Sequence, residues 1–382
     1  MNTPSVPERL TLDTLPPSAR RVYLELLRYG PLPRTQLAER LGLSAASLTR
    51  VTAPLVDAKL MLQGAPVPSE VGRPAIPLSV NLTSFALIGL SITHESLVAI
   101  ATDARATVLD SRTSRLTDLR PTAVLREAGN LIGELRDALA AKNPALPIAG
   151  VGVNIGAQID GGRVVREAPF LGWENVRAAD RLEELTGLPV LIVHDLTSLA
   201  EAENWFGAGL EASRFIVVTV GIGTGFALVM DGRVITDENT GFGTITDAIR
   251  GADWPDLSGA SPLSAEESAQ AARKVGRLVG TAAAFTMPQA VVISGEGARF
   301  LAGNEEELDA GIAEIRHVSA SASTFSFASM ISPSGRAVQQ PPQSSGSSAW
   351  ARWPLGRLEA WLRRALSAQR APMRPRAPSP RN

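Results

Sequence analysis

The sequence has no cysteine and, in 382 residues, only three histidines, at positions 94, 194 and 317. Without cysteine the chain cannot form disulfides or thiolate metal sites, and histidines so far apart in sequence do not indicate a metal cluster. The chain also lacks an apolar run long enough to span a membrane, and residues 1–21 are too polar for a secretion signal. These absences predict a cytoplasmic protein with no metal and no membrane partner.

The formal net charge of −1 hides an uneven distribution of charge along the chain. Residues 19–82 carry a net charge of +4, residues 83–317 carry −12, and residues 318–382 carry +8. Because an acidic surface repels phosphates, contacts with DNA are expected from the ends of the chain rather than from its centre. The length and the 45% content of hydrophobic residues predict a small module followed by a larger globular body.

The run from Arg34 to Met61, followed after a short spacer by the motif VGRP, predicts a DNA-reading unit at residues 34–74 that begins with a helix-turn-helix. Gly42 allows a left-handed turn between the two helices, and Ser44 can cap the second one through its hydroxyl oxygen. Pro54 predicts a kink or an early helix end near Ala53, and Lys59 stands where a helix-ending glycine would fit better. Apolar residues at helical spacing predict the buried faces of the two helices: Leu37, Leu41, Leu48, Val51 and Leu55.

A further helix over residues 19–29, with Val22 and Leu26 on one face, would complete a three-helix cluster. Residues 60–62 and 77–80 are predicted strands joined through a wing, whose Arg73 is suited to the minor groove. The outward side chains of the second helix of the motif are small or polar, so this helix is suited to the major groove. The predicted DNA contacts are Thr35, Ser44, Ala45, Ala46, Ser47, Thr49, Arg50 and Arg73. The alternative is an ordinary helical module for protein–protein contact.

The remainder, up to residue 317, predicts an α/β body, because apolar segments of strand length alternate with helical segments. Three strand segments follow one another from residue 85 as a meander. The further predicted strands lie at 148–156, 189–194, 215–220 and 290–294. The predicted helices lie at 121–141, 175–186, 197–206, 266–285 and 305–316.

Two places in this body suggest chemistry. The glycine-rich loop 221–225 follows a strand and could surround a phosphate with backbone amides, but it could equally be a tight β-turn between 215–220 and 226–230. His194 and Asp195 stand at the carboxyl end of a strand, where ligands bind in α/β sheets. Asp195 can accept a proton from a hydroxyl, or it can cap a helix that begins near Thr197, which the residues alone favour.

The order and spacing of several motifs add to this interpretation: VGVNIGAQIDGGRVVREAPFLGW, LPVLIVHDLTSLAEAENWFGAG and FIVVTVGIGTGFALVMDGRV. With them, residues 19–317 resemble the ROK family of repressors and sugar kinases, whose repressors begin with a winged helix-turn-helix. The resemblance implies a duplicated ribonuclease-H-like body, related to actin and hexokinase, with two lobes around a sugar cleft. In the family's kinases the aspartate matching Asp195 is the general base. The loop that approaches ATP phosphates matches Gly221, Gly223, Thr224 and Gly225.

The chain departs from the kinases at the first phosphate loop. In place of their aspartate and following glycine pair, it has Ser91 and then Thr93 and His94. Phosphoryl transfer depends on positioning and charge neutralisation around the phosphates. We therefore expect no kinase activity and no cofactor, with Asp195 as a vestigial general base and 221–225 as a vestigial phosphate loop.

The sugar-contacting positions also depart from the family pattern. Phe170 and His194 replace asparagines, and the segment 244–247 replaces a motif of glutamate, any residue, glycine and histidine. The family's zinc loop is missing and the region before residue 266 is short, which predicts a shortened second lobe. A sugar needs several paired polar groups, so an ordinary hexose site is not expected. The candidate ligand contacts are Asn154, Phe170, His194, Asp195, Thr244 and Asp247.

The leading hypothesis is a repressor that binds a double-stranded DNA operator as a homodimer or larger homo-oligomer, with a non-catalytic body that senses a sugar or sugar phosphate. The alternatives are an ATP-dependent sugar kinase with an accessory DNA module, and a degraded family member that senses nothing. The predicted divisions are a flexible segment 1–18, the winged helix-turn-helix 19–82, the body 83–317, and a disordered basic tail 318–382, rich in Ser, Pro and Arg. Within that tail, residues 349–369 could form a basic amphipathic helix.

Overall fold

The computed structural model describes residues 15–67, 74–221, 223–235, 254, 257, 262–316 and 326–329. Three predicted site residues, Arg73, Thr244 and Asp247, lie outside the described residues, as does the segment 349–369. None of the helices formed by the described residues is long and apolar enough to cross a membrane.

The chain begins with a cluster of three helices, as predicted. These are α1 (Pro17–Tyr29), α2 (Arg34–Leu41) and α3 (Ala45–Asp57). Gly42 ends α2 in the left-handed conformation, with φ 64° and ψ 34°, and the Ser44 hydroxyl accepts a hydrogen bond from the Ser47 amide at 3.1 Å. Both predictions for the turn are therefore confirmed. The apolar faces of the helices meet in one buried cluster: Val22, Leu26, Leu37, Leu48 and Leu55.

The end of α3 differs from the prediction at Pro54. The helix continues through this proline to Asp57, so the predicted early end near Ala53 is wrong. Pro54 lies in the last turn, where its missing amide removes only one helical hydrogen bond, and the buried Leu55 holds this turn in the core. Lys59 takes a left-handed φ of 57° and the Leu60 amide donates to the Leu55 carbonyl oxygen at 2.9 Å. Lys59 therefore occupies the position that favours glycine, as predicted.

A small antiparallel sheet packs beside these helices. It contains β1 (Leu32–Pro33), β2 (Met61–Gln63) and β3 (Pro77–Val80), in the order β1-β3-β2. The two predicted strands are thus present and pair antiparallel, with β2 one residue later than expected. A further bridge between Val67 and Ala75 extends this hairpin towards its tip.

The body starts with a five-stranded mixed sheet. Its strands are β4 (Ala86–Ile92), β5 (Ser96–Thr102), β6 (Val108–Arg115), β7 (Ile148–Ile155) and β11 (Val190–His194). They lie in the order β11-β7-β4-β5-β6. The predicted meander is confirmed as the antiparallel strands β4 to β6, while β7 pairs in parallel with β4 and β11 pairs in parallel with β7. The helices α4 (Pro121–Lys142) and α5 (Ala178–Thr186) connect them.

Both faces of this first sheet are buried along β4, β7 and β11, because these strands are apolar at most successive positions. In β11, Val190 and Ile192 pack in the cluster that contains α4 and α5. Leu191 and Val193 point the other way and join the cluster of α1, α2 and α3. The helical head and the sheet therefore share one hydrophobic core.

A second five-stranded sheet repeats the order and directions of the first one, as β14-β13-β12-β15-β16. Its strands are β12 (Arg214–Thr219), β13 (Gly225–Met230), β14 (Arg233–Ile235), β15 (Ala290–Ser294) and β16 (Ser326–Ser329). The helices α7 (Ala265–Thr286) and α8 (Glu305–Ile315) accompany it. Because β16 lies within the predicted disordered tail, that prediction is wrong at these four residues, which pair in parallel with β15.

Three short strands between β7 and α5 were not predicted from the sequence. They are β8 (Gln158–Asp160), β9 (Val164–Ala168) and β10 (Trp173–Val176), and they form a separate antiparallel sheet. The helix α6 (Asp195–Phe206) follows β11 directly and packs its apolar residues against the second sheet. It begins at Asp195 rather than near Thr197, and His194 is its N-cap residue, so the prediction that Asp195 caps a helix near Thr197 is wrong in both respects.

Candidate functional site

The first candidate surface is the exposed side of α3. Leu48, Thr52 and Leu55 face the core, so the opposite side of the same helix is available to a partner. The Arg34 guanidinium donates to the Thr52 hydroxyl at 3.0 Å and fixes α2 against α3. Among the predicted DNA contacts, Ser47 is half-buried and the others that the structure describes are exposed: Thr35, Ser44, Ala45, Ala46, Thr49 and Arg50.

The side chains on this surface differ in whether their hydrogen-bonding groups are available to a partner. The Thr49 hydroxyl donates to the Ala45 carbonyl oxygen at 2.9 Å, and the Ser44 hydroxyl donates to Ser47 Oγ at 3.0 Å. These hydroxyls are thus engaged within their own helix. Arg50 is the longest side chain on the exposed side, and a guanidinium can donate two parallel hydrogen bonds to one base. The described surface therefore places its one strong base-reading group at Arg50.

The second candidate site lies where the parallel strands of the first sheet end. The register aligns Ser91 of β4, Asn154 of β7 and Val193 of β11 in one row. Their neighbours in the strands pack towards α4 and α5, so the side chains of this row point to the face on which α6 lies. Since α6 begins at Asp195, the structure brings the predicted residues Asn154, His194 and Asp195 to one edge of the sheet.

The Asp195 carboxylate is held by its own helix. Its Oδ1 accepts a hydrogen bond from the Leu196 amide at 2.6 Å and lies 3.0 Å from Nδ1 of His194. Its Oδ2 lies 3.3 Å from the position that a Cβ atom on Gly156 would take, so the missing side chain at Gly156 makes room for the carboxylate. The Asp195 side chain is 37% exposed, which leaves it accessible to a ligand.

The glycine-rich loop 221–225 lies beside the start of α6. It joins β12 to β13, whose antiparallel pairing ends at Thr219 and Gly225, so the loop connects two neighbouring antiparallel strands. A Cβ atom on Gly225 would lie 2.8 Å from Cδ2 of Leu196 and 2.8 Å from Oγ1 of Thr219. A Cβ atom here would displace the Leu196 and Thr219 side chains, so the glycine lets the loop lie against the start of α6, next to Asp195. Gly223 is exposed, Thr224 is buried, and both stand in that same loop.

Phe170 belongs to a different part of the surface. It lies in the turn between β9 and β10, and its side chain is 58% exposed. The described contacts do not join it to the edge that carries Asp195. The structure thus brings together Asn154, His194 and Asp195, leaves Phe170 apart, and adds Gly156 and Leu196, which the sequence analysis did not single out.

Comparison with known proteins shows which proteins this chain is similar to. Residues 87–246 match the ROK family. Two Escherichia coli proteins, the DNA-binding transcriptional dual regulator NagC of strain K12 and the N-acetylglucosamine repressor of strain O6:H1, are each 28% identical over 224 residues, which is 59% of this chain. The match covers 55% of each relative, so the chain spans about half the length of these proteins.

A solved structure, that of a ROK family transcriptional regulator described as a homologue of the E. coli MLC protein, superposes with a TM-score of 0.61. The superposition covers 78% of this chain and 88% of that chain at 19% identity, a likeness that concerns the fold. The sequence similarity to the ROK family thus lies in residues 87–246, and the superposition shows a similar fold.

Proposed function

We propose that this chain is a sequence-specific DNA-binding transcriptional regulator that acts as a repressor. The observation that carries the proposal is the exposed side of α3, where small and polar side chains surround Arg50 on a helix that its opposite face anchors in the core. A helix presented in this way can enter a major groove. Helices α1 to α3 and the antiparallel pairing of β2 with β3 support a winged helix-turn-helix over residues 19–82. Arg73, which lies outside the described residues, is proposed as a minor-groove contact.

The body supports a role in sensing and assembly. The matching strand order of the two sheets supports a duplicated ribonuclease-H-like body over residues 83–317. Asn154, His194 and Asp195 form the polar edge at which a sugar or sugar phosphate would bind, and the relative named N-acetylglucosamine repressor suggests this class of effector. A homodimer would present two copies of α3 to a palindromic operator. We place the protein in the cytoplasm, where such an operator is found.

Selection of bound genomic fragments by the full chain, followed by sequencing, tests the function. We expect enrichment of fragments with a shared two-fold site. The Arg50→Ala variant should then bind the enriched fragment about 5- to 150-fold more weakly, because loss of a base contact costs about 1–3 kcal/mol. The matched control is Arg115→Ala, which removes the same charge from an exposed position on β6.

Three outcomes would contradict parts of this proposal. If no fragment is enriched, the DNA-binding function is wrong. If Arg50→Ala and Arg115→Ala bind the enriched fragment equally well, the DNA face does not lie on α3.

The second candidate function is an ATP-dependent sugar kinase, which the position of Asp195 beside the loop 221–225 favours. Transfer of phosphate from ATP to a hexose, abolished by Asp195→Asn, would establish that activity and replace the non-catalytic body proposed here.

A further inference from the structure

The helix α6 connects the polar edge of the body to the helical head. Its first residue, Asp195, belongs to the candidate effector site. Its last two residues, Trp205 and Phe206, pack against the cluster that contains α1 and α3. The helix has 12 residues, which spans about 18 Å at about 1.5 Å per residue. One rigid element thus touches both places that the proposed function has to link.

Arg28 of α1 forms hydrogen bonds at the C-terminal end of α6. Its Nη2 atom donates a hydrogen bond to the Asn204 carbonyl oxygen at 2.9 Å and another to the Gly209 carbonyl oxygen. Carbonyl groups at a helix C-terminus carry partial negative charge, so a guanidinium is favoured there. The contact joins segments that lie 176 and 181 residues apart in the sequence.

The turn that receives Arg28 is tightly packed. A Cβ atom on Gly207 would lie 1.9 Å from Oε2 of Glu203, and one on Gly209 would lie 2.4 Å from the Asn204 carbonyl oxygen. The Glu203 carboxylate accepts a hydrogen bond from the Ala208 amide at 3.1 Å. Because this turn is tightly packed against the end of α6, a displacement of α6 would also move the Asn204 and Gly209 carbonyl groups. Arg28, which donates hydrogen bonds to both, would be displaced with them.

The same helix α1 sets the position of α3. Val22 and Leu26 of α1 pack in one buried cluster with Leu48 and Leu55 of α3. Any shift of α1 relative to the body therefore moves the exposed side of α3. A close-packed core transmits such shifts because its elements cannot deform independently.

We propose that Arg28 is the coupling residue through which α6 links the effector edge of the body to the DNA-reading helix. This inference rests on the proposed function, since it assigns the regulation of the same DNA surface. Coupling between two sites is reciprocal, so an effector that acts on α3 through α6 implies that DNA bound to α3 acts on α6. The coupling can therefore be measured with DNA as the ligand.

The experiment compares amide hydrogen exchange in the full chain, free and bound to the enriched genomic fragment. In the wild type, DNA should slow exchange in residues 45–57 and change exchange in residues 195–206 by about fivefold or more, the lower end of typical couplings. In Arg28→Ala, the change in 195–206 should disappear while 45–57 remain protected. Arg28→Lys keeps the charge but has a single nitrogen for the two carbonyl groups, and should show a smaller change.

The matched control is Arg136→Ala. Arg136 of α4 donates to the Thr186 carbonyl oxygen at the end of α5, at 3.4 Å, so it makes the same kind of contact within the body. This variant should keep the full response of 195–206. In each variant, the amides of residues 148–155 should exchange as slowly as in the wild type, which shows that the body is folded. If Arg28→Ala does not meet this condition, the coupling is tested with Arg28→Lys instead.

The outcomes separate the two proposals. If DNA protects 45–57 in the wild type but leaves 195–206 unchanged, the DNA surface stands and the coupling is refuted. The coupling through Arg28 is also refuted if 195–206 respond equally in the wild type and in the Arg28 variants. If the fragment protects nothing in 45–57, the proposed DNA surface fails and the coupling fails with it.

Discussion

Helices α7 and α8 approach each other through glycines, and this contact predicts that one substitution has opposite effects at two positions. A Cβ atom on Gly276 of α7 would lie 2.1 Å from the Leu308 carbonyl oxygen of α8. A Cβ atom on Gly133 of α4 would meet nothing within 4 Å. Both glycines lie near the middle of helices of 22 residues, so the two positions differ chiefly in what surrounds them.

The surroundings set the expected magnitudes. Gly133→Ala should raise the free energy of unfolding by about 0.5–1 kcal/mol, because alanine loses less backbone entropy on folding. Gly276→Ala gains about 1 kcal/mol from helix propensity, but the contact has to widen from 2.1 Å to the ordinary 3.4 Å. That widening separates Val275 from Leu308 in the core of the second lobe, and overpacking of this kind costs about 1–3 kcal/mol. Because the obstacle is backbone, we expect the upper part of that range and a net loss of about 1–2 kcal/mol.

Urea denaturation of the wild type and the two variants, followed by circular dichroism, measures the difference. Exchange of the amides in residues 265–286 localises the effect of Gly276→Ala to the second lobe. If Gly276→Ala is as stable as the wild type or more stable, α7 and α8 are not in backbone contact at this glycine. A loss of stability in Gly133→Ala would show that the open space beside α4 is filled.

Two further predictions concern single residues. Lys59→Gly should stabilise the head by about 0.5–1 kcal/mol in urea denaturation, because a left-handed φ of 57° strains a residue with a Cβ atom; an unchanged or lowered stability would contradict this. Hydrogen bonds from Arg163 hold the pKa of the Asp180 carboxyl below its ordinary range. Its stabilising effect is therefore present above about pH 3.9 and is lost as pH falls through the lower folded-state pKa. Asp180→Asn should be less stable than the wild type at neutral pH and lose less stability in acid, and parallel curves of stability against pH would contradict this.

The sequence predicted the features that depend on local patterns. Leu48 and Leu55 lie on one face of α3 because their spacing matches the helical repeat, and Gly42 and Ser44 act within a few residues of their own positions. At Pro54 the same local reasoning failed, because the core contact of the next residue decided where the helix ends. Local sequence patterns therefore predict the structure correctly where no contact with a residue distant in the sequence outweighs them.

The missed features depend on partners far away in the sequence. The strands β8 to β10 are short and partly exposed, and they are held by pairing with each other rather than by a strong apolar pattern. The turn Asp160–Gly161–Gly162, with φ of 55° and 69° at its glycines, was the signal that could have revealed this hairpin. The contact of Arg28 with the end of α6 left no such signal, because nothing in either segment specifies the other.

The candidate site shows the same division. The strand pattern predicted His194 and Asp195 at the carboxyl end of β11, but only the parallel register places Asn154 next to Val193 and brings Asp195 to the same edge. Leu196 had no role in the prediction, because the predicted helix began at Thr197. Its contact with Gly225 is what places the glycine-rich loop beside the carboxylate, and that contact requires the two sheets to meet across α6.

The shared core of head and body bears on which function the molecule can serve. Leu191 and Val193 of the first sheet, together with Leu87, lie in one buried cluster with residues of α1, α2 and α3, and from the body only the end of α6 adds helix side chains to the described part of this cluster. Removal of the head would therefore expose this apolar face, so the head is an integral part of the fold. An accessory module added to a kinase would not need to cover the sheet of the enzyme. The shared core is what the proposed regulation requires, because a change at Asp195 would reach α3 only through elements that are packed together.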